Sequence, residues 1–288
     1  MNVTERFEEH RPRLRAMAYR MLGSVSEADD AVQETWLRLN RSASSEVDNL
    51  AAWLTTVVGR VCLNLLRSRD RRREEPLHVP DPLISPSSGV DPEQEALLAD
   101  SVGLAMLVVL ETLAPAERLA FVLHDLFAVP FDEIAPMIDK SPAAARQLAS
   151  RARRRVQTQA PTPDPDLGRQ RDVVSAFFAA SRDGDLDALV AVLAPDVVLR
   201  SDGGTARPRM TMALRGAGDV SKQAITSSRL SPFVLPALIN GAAGVVVAAN
   251  GRPMFVMAFT VTNGKIAAIE VLADPDRLRH LDITALEG

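Results

Sequence analysis

Two proline-dense stretches constrain the 288-residue chain more than any other feature, because neither a regular helix nor a central strand runs through such sequence. The first is EEPLHVPDPLISPSSGVDPEQ, from Glu74 to Gln94, and the second is APTPDPDLG, from Ala160 to Gly168. Both lack a hydrophobic period and read as linkers. They divide the chain into residues 1–73, 95–159 and 168–288, with linkers at 74–94 and 160–167. A composition of 47% hydrophobic and 24% charged residues gives each part enough apolar material for its own core. Helical periodicity marks the first two parts, and alternation between turn signals marks the third. The expected fold is therefore multidomain: two all-α domains followed by an α+β domain.

Several classes are excluded at this level. The N-terminus MNVTERFEEHRPRLRAMAYR is charged where a signal peptide is apolar, and no uninterrupted apolar run has the length of a membrane span. A cytoplasmic protein without a membrane partner is expected. The single cysteine, Cys62, leaves no internal disulfide. His10, His78, His124 and His280 show no metal-ligand spacing, so neither a metal nor another cofactor is expected.

Charge is concentrated in one place. The stretch SPAAARQLASRARRRV, residues 141–156, holds five arginines and no acid, although the formal net charge of the chain is −4. Ser141 suits a helix N-cap and Pro142 the first helical position. Ala143, Ala144, Ala145, Leu148, Ala149 and Ala152 favour helix, and Arg146, Arg153 and Arg154 fall on overlapping faces. An isolated arginine-rich helix is more often a solvated face than a ligand site. Here, however, PFDEIAPMIDKS precedes it, giving a short helix with Phe131, Ile134, Ala135 and Ile138 on one side and a turn at Asp139-Lys140. That is a helix-turn-helix pattern, interrupted by Pro136. In such a unit the second helix enters the major groove, so Arg146 and Gln147 are candidates to read bases. Arg151, Arg153, Arg154 and Arg155 are candidates for phosphates, which add affinity and salt dependence but little sequence choice.

The first domain presents two helices around Gly23-Ser24. Leu14, Ala18, Met21 and Leu22 recur at helical spacing, as do Ala28, Val32, Thr35, Trp36 and Leu39. Glu27, Asp29, Asp30 and Glu34 crowd the N-terminal half of the second helix, where the helix dipole favours acids and where a basic partner also finds a docking face. A third helix, LAAWLTTVVGRVCLNLLRSRDRRR, ends in Arg67, Arg69, Arg71, Arg72 and Arg73. Cations there gain about 0.3–1 kcal/mol each from the dipole without any ligand.

Three segments together resemble an RNA polymerase sigma factor of the extracytoplasmic-function type: ADDAVQETWLRL at 28–39, AAWLTTVVGRVCLNLLRSRDRRR at 51–73, and LAPAERLAFVLHDLFAVPFDEIAPMIDKSPAAARQLASRARRRV at 113–156. The resemblance implies that the first domain is sigma region 2. Asp29, Asp30, Gln33, Glu34, Trp36 and Leu37 would then dock on the β′ clamp helices of core RNA polymerase, whose β subunit is also an implied partner. The third helix and the preceding loop RSASSEVDNL would engage the −10 element of promoter DNA, with a flipped base in a pocket and Asn49, Arg60, Asn64 and Arg67 as candidate contacts. The second domain would be region 4, reading the −35 element through Arg146, Gln147, Ser150, Arg151, Arg153 and Arg154.

Beyond residue 160 the chain reads as two helices around Asp183-Gly184, a strand, then a strand, a helix and a meander with hairpin turns at Asn250-Gly251 and Asn263-Gly264. The opening FFAASRDGDLDALVAVLAPDVV resembles SnoaL-like domains of the cone-shaped NTF2-like fold, a pairing that points to the SigJ-like branch of these sigma factors. Members of that branch carry Trp-Leu-Pro-Glu-Pro in the linker, then Asp-Gly-Gly-Gly, then Asn-Pro-Asp-Lys-Leu. This chain has EPLHVPDPL in the linker, departing at the tryptophan, DGGT at 202–205 and DPDRL at 274–278. The resemblance implies that the extension is a built-in regulator acting through Asp202, Gly203, Gly204, Asp274, Pro275, Asp276, Arg277 and Leu278. A turn at Gly203-Gly204 and a helix start at Asp274-Pro275 are the plain structural readings of the same residues.

Two rivals stand beside this reading. One is a helix-turn-helix repressor with a small-molecule-sensing domain, which leaves the first 73 residues unexplained. The other is a SnoaL-like enzyme fused to a DNA-binding module, but AGVVVAA and PMFVMAFTV carry no histidine or carboxylate for acid–base work, so no catalytic residue is assigned. Met254, Val256 and Phe259 would line the cone, either holding a small ligand of unknown identity or serving as core.

Overall fold

The structure is a computed structural model that describes residues 3–41, 49–72, 78–86, 103–228, 233–281, 283 and 286, the side chains of 70–72 excepted. Most of the loop RSASSEVDNL and the side chains of Arg71, Arg72 and Arg73 therefore lie outside the described residues. The chain forms two compact units: one holds the described residues up to 72 and those from 109 to 159, the other holds 78–86, 103–108 and those from 160 onward. Three bodies were expected from the sequence; the two helical domains instead share one unit.

In the first unit α1 (Val3–Leu22), α2 (Val25–Arg41) and α3 (Leu50–Arg72) pack on one another around Phe7, Leu14, Met17, Leu22, Val32, Leu39, Leu54 and Leu63. Leu50–Arg69, with mean hydropathy 1.2, is long and apolar enough to cross a membrane by length and composition, a property that counting uninterrupted apolar runs passes over. Half of that stretch is buried inside the fold, as befits a core helix.

The chain continues through α4 (Leu104–Glu111) and α5 (Pro115–Phe121), which runs into a π-helical turn at Val122–Leu126. A short α6 (Phe131–Ile134) follows and tightens to a 3₁₀ turn at Ala135–Met137, where Pro136 cannot donate to the α-helical ladder. Asp139 then takes the left-handed conformation (φ 56°) and α7 (Pro142–Gln159) begins, with the Ser141 hydroxyl accepting from the Ala144 amide at 3.2 Å.

Two features explain why the helices coalesce. A Cβ on Gly59 of α3 would stand only 3.1 Å from Met137 Sδ, so glycine permits a close approach. Arg118 of α5 is 2% exposed and donates to Glu111 Oε1 (3.2 Å) and, through Nε and Nη2, to the Arg20 carbonyl oxygen of α1 (3.4 and 3.3 Å). Burial pulls its pKa below the ordinary guanidinium value, and Glu111 opposes that shift. Cys62 is buried beside it, its thiol pushed up to about 12 by burial.

The second unit is built on a seven-stranded sheet in the order β1-β4-β5-β6-β7-β2-β3, where β1 is Ile84–Pro86, β2 Leu193–Asp202, β3 Met212–Arg215, β4 Val234–Ile239, β5 Ala242–Ala249, β6 Arg252–Thr262 and β7 Lys265–Leu272. Among the described strands, only the β2–β7 pairing is parallel. Helices α8 (Leu167–Asp183), α9 (Leu186–Val192) and α10 (Ala217–Thr226) contribute Val174, Phe177, Leu189 and Val220 to one core with Leu199, Val245, Phe259 and Ile269. The expected turns at Asn250-Gly251 and Asn263-Gly264 are present, each with positive φ at both residues, and Asn240-Gly241 adds a third.

Three sequence expectations need adjusting. Alternate residues of a strand point to opposite faces, so Phe255, Met257 and Phe259 join the core while Met254 and Val256 fall on the other face. The core face is filled by the rings of Phe177, Phe178 and Phe259, whose centroids lie 5.4–5.9 Å apart. The stretches expected to be linkers are also bound. Ile84–Pro86 pairs antiparallel with β4, and Asp164 accepts from the Asn263 and Gly264 amides, both at 2.8 Å.

A buried carboxylate lies where only apolar strands were considered. Glu270 of β7 is 1% exposed, receives Arg200 Nη1 at 2.9 Å and, among the described residues, has no hydrogen-bond partner for Oε2. It pairs across the sheet with Arg200 and Ala258, on the face opposite Phe259, and so stands outside the cone interior. Burial raises its pKa from 4.5 to about 7, against the pull of Arg200. The folded state then retains a proton that the unfolded chain has released, so this contribution to stability is full below the unfolded pKa and is lost as pH rises through the folded one. In urea unfolding of the full-length protein, stability should decline between about pH 4.5 and 7 by up to about 3 kcal/mol from this group, and Glu270→Gln should flatten that part of the profile.

Candidate functional site

On α7 the buried side is Ala145, Leu148, Ala149, Ala152 and Val156, which leaves Arg146, Gln147, Arg151, Arg154 and Arg155 exposed and Ser150 and Arg153 half-buried. The arginines are not equivalent. Arg151 Nε donates to Glu117 (3.1 Å), Arg153 Nε to Asp125 (2.6 Å), and Arg155 Nη1 to the Thr112 carbonyl oxygen (3.2 Å). Among the described residues, no hydrogen bond or ion pair engages the Arg146 or Arg154 guanidinium. The pairing with Asp125 holds Arg153 above the ordinary guanidinium pKa.

On α2 the residues Ala28, Val32, Thr35 and Leu39 face inward, and Asp29, Asp30, Gln33, Glu34, Trp36 and Leu37 form the opposite stripe. Asp29 receives Arg15 at 2.6 and 3.1 Å, and Glu34 receives Arg38 at 2.8 Å. Trp36 packs on Phe7 with ring centroids 4.9 Å apart, while Leu37 is 40% exposed, one of the few large apolar side chains so open. An exposed leucine between carboxylates suits a partner that is both basic and apolar.

Asn49 caps α3, its side chain accepting from the Ala52 amide at 3.1 Å, and it lines an open cleft of about 300 Å³ with His10, Arg13, Thr55 and Glu133. Arg60, Asn64 and Arg67 share one exposed face of α3, where Arg60 Nη2 donates to the Pro136 carbonyl oxygen at 3.2 Å.

The candidate regulatory residues come together in the second unit, around a helix α11 (Pro275–Leu278) whose N-cap, Asp274, accepts from the Asp276 amide at 2.8 Å. Arg277 donates through Nε to Asp81 (2.8 Å), through Nη1 to Asp202 (2.9 Å) and through Nη2 to the Val79 carbonyl oxygen (2.6 Å). The Val79 amide returns to Asp202 Oδ2 at 3.1 Å, and the Gly204 amide takes Oδ1 at 3.0 Å. Gly204 has φ 58°, and a Cβ there would collide with the Asp274 carboxylate. Leu278 is buried, whereas Asp276 pairs with exposed Arg279. DGGT and DPDRL thus form one site that grips HVPDP. Asp81, Val79 and Asn240, the last exchanging two hydrogen bonds with Leu83, were not singled out in the sequence. The available signal was Asp81 itself, an acid between two prolines.

A cationic helix-turn-helix and an acid-faced helical bundle in one unit, joined to a helix-and-sheet domain, define a DNA-binding transcription factor with a protein partner. Residues 6–72 match Sigma-70 region 2, and residues 104–156 match Sigma-70, region 4. The chain is 40% identical over 293 residues to the ECF RNA polymerase sigma factor SigJ of Mycobacterium tuberculosis (strain ATCC 25618 / H37Rv), across 96% of this chain and 93% of that one. It is 36% identical over 283 residues to the probable ECF RNA polymerase sigma factor SigI of Mycobacterium tuberculosis (strain CDC 1551 / Oshkosh), across 97% and 96%. The crystal structure of the Mycobacterium tuberculosis SigJ protein superposes with a TM-score of 0.76 at 37% identity, covering 96% of this chain and 98% of that one.

The chain belongs to the extracytoplasmic-function sigma factors: it acts with core RNA polymerase at promoter DNA to direct transcription initiation, and is not an enzyme. Its C-terminal part carries helices packed on a mainly antiparallel sheet.

Arg277→Ala would strand the nearly buried Asp202 carboxylate, a change that costs about 3–5 kcal/mol where a buried pair is broken. Hydrogen exchange should then accelerate at Val79 and Leu83 while the amides of β6 and β7 stay protected.

Proposed function

We propose that this sigma factor, working in the cytoplasm, recognises the −10 element through the α3 face of Asn49, Arg60, Asn64 and Arg67. On this reading α7 binds the −35 element, the α2 stripe docks on the β′ clamp helices, and region 4 meets the β subunit. Arg146 and Gln147 read bases; Arg154 meets phosphate. Arg151 and Arg153 join the DNA contacts by exchanging Glu117 and Asp125 for phosphate oxygens. Promoter elements about 25 base pairs apart span about 85 Å at 3.4 Å per pair, far more than one compact unit of this size reaches. The close packing of regions 2 and 4 is accordingly a resting form that opens on the polymerase.

The C-terminal domain modulates that opening. The observation that carries this reading is the Arg277 grip on Val79 and Asp81, because these residues lie on the segment that connects region 2 to region 4. Transcription from a cognate promoter with purified core polymerase tests it: the full-length protein, a chain ending at residue 159 and Arg277→Ala should give different outputs. Equal output from all three would overturn the regulatory role, and no initiation by any would overturn the sigma assignment of these surfaces.

For the DNA contacts, Arg146→Ala should lose about 1–3 kcal/mol of discrimination at one −35 position, whereas Arg154→Ala should weaken binding to all sequences alike. Measured affinities for promoters substituted one base at a time, across a salt series, separate the two behaviours.

A further inference from the structure

Of the five α7 arginines, Arg146 is held in a way of its own. Its Cζ lies 5.3 Å from the centroid of the Phe131 ring, and among the described residues it makes no ion pair or hydrogen bond. Phe131 in turn stacks on His124 with ring centroids 3.8 Å apart and an interplanar angle of 27°. The His124 ring is itself tied down, Nδ1 standing 3.0 Å from the Val129 carbonyl oxygen.

The three side chains come from the π-helical turn, the first residue of α6 and the second turn of α7. The π-helical turn sets where His124 points, and the bond to Val129 spans the loop that delivers Phe131. An exposed arginine ordinarily samples many rotamers, which must be given up when it binds a base edge. A ring beside the guanidinium restricts that sampling, while among the described residues its N–H groups are taken up by no protein partner. Bidentate recognition of guanine O6 and N7 needs those N–H groups free and oriented.

We propose that Phe131, seated on His124, is a positioning residue for −35 recognition, preorganising Arg146 to read a guanine. The proposal rests on the assignment of α7 to the −35 element and gives the bracing helix a part in specificity besides its packing. Ile134 and Ala135 of that segment are buried and supply the packing, whereas Phe131 is half-exposed at its outer end.

The experiment measures binding of the full-length protein, assembled with core polymerase, to promoters substituted singly at each −35 position. Phe131→Leu keeps apolar volume and removes the ring. It should cut discrimination at the position read by Arg146 about three- to tenfold while leaving other positions unchanged. Phe131→Tyr, which retains a ring, should preserve discrimination, and Phe131→Leu combined with Arg146→Ala should be no worse there than Arg146→Ala alone. An upfield ring-current shift of the Arg146 side-chain protons in the unmodified free protein is expected as well, and needs no variant to fold.

The proposal is overturned if Phe131→Leu leaves that discrimination intact while Arg146→Ala abolishes it. Equal weakening at every sequence, or absence of the ring-current shift, overturns it too. Were Arg146→Ala itself silent at all −35 positions, the −35 assignment would fall first and the platform with it.

Discussion

All three side-chain nitrogens of Arg277 donate: Nε to the linker carboxylate of Asp81, Nη1 to the carboxylate of Asp202 at the end of β2, and Nη2 to both Asp81 and the Val79 carbonyl oxygen. Asp202 is 2% exposed, and a carboxylate so buried requires a paired counter-charge. Everything around it serves that need. The Ala273 amide reaches the Asp202 carbonyl oxygen at 2.7 Å, bringing the start of α11 to the end of β2, and Asp274 caps the helix that aims Arg277. Glycine at 204 lets the backbone pass the Asp274 carboxylate. Once Val79 and Asp81 are gripped, the following residues are close enough to β4 to become the edge strand β1. Residues 78–86 of the linker are therefore held by the Arg277 grip together with Asn240 and the pairing of β1 with β4.

The first unit depends on arginine differently. Arg118 satisfies a main-chain carbonyl of α1 from within α5, and Arg20 stacks on Phe127 with Cζ 5.1 Å from the ring centroid. Arg15, Arg38, Arg69, Arg151 and Arg153 all pair with carboxylates of their own chain. Exposed pairs such as Arg15–Asp29 and Arg38–Glu34 contribute only about 0–1 kcal/mol each, whereas the carboxylates facing Arg151 and Arg153 are themselves only 15% exposed. A buried donor such as Arg118 is another matter, since withdrawing its partner leaves a desolvated charge. The unit thus combines cations held in surface pairs with a cation locked into its interior.

That division limits what was legible beforehand. Helices α2 and α7 follow from spacing, because each buries one stripe that is visible in the sequence, whereas the C-terminal end of α1 is buried on every side. Asn250-Gly251 and Asn263-Gly264 announce their hairpins, since both residues of each turn require positive φ and asparagine and glycine supply it. Pairings across long separations leave no such mark. Nothing local says that Asp81 meets Arg277, that Asp164 caps the β6–β7 turn, or that the buried Glu270 faces away from the cone. The two proline-rich stretches illustrate the point: proline excludes helix correctly, but an irregular backbone still bonds wherever a partner is fixed nearby, as Val79 and Leu83 do. Phe131 falls on the apolar side of its helix by spacing, and only the fold reveals that its ring lies beside the Arg146 guanidinium.

A fused domain alters initiation only by binding two forms of the sigma chain unequally. The grip on HVPDP is such a difference if the linker's course on the polymerase departs from its course along β4. In that case each hydrogen bond made by Arg277, and the three-residue pairing of β1, is lost on assembly, and the domain acts as a brake whose strength is the docking energy. If the linker keeps this course, the same contacts instead shorten the tether between regions 2 and 4 and raise the local concentration of one near the other's DNA site. The departure from tryptophan in this linker bears on the balance. With no large ring to bury, the docking rests on Val79, Leu83 and Ile84 and on the Arg277 pairs with Asp81 and Asp202, which are mostly buried and so little screened by salt. The coupling between extension and promoter output should consequently depend on the Arg277 side chain far more than on ionic strength.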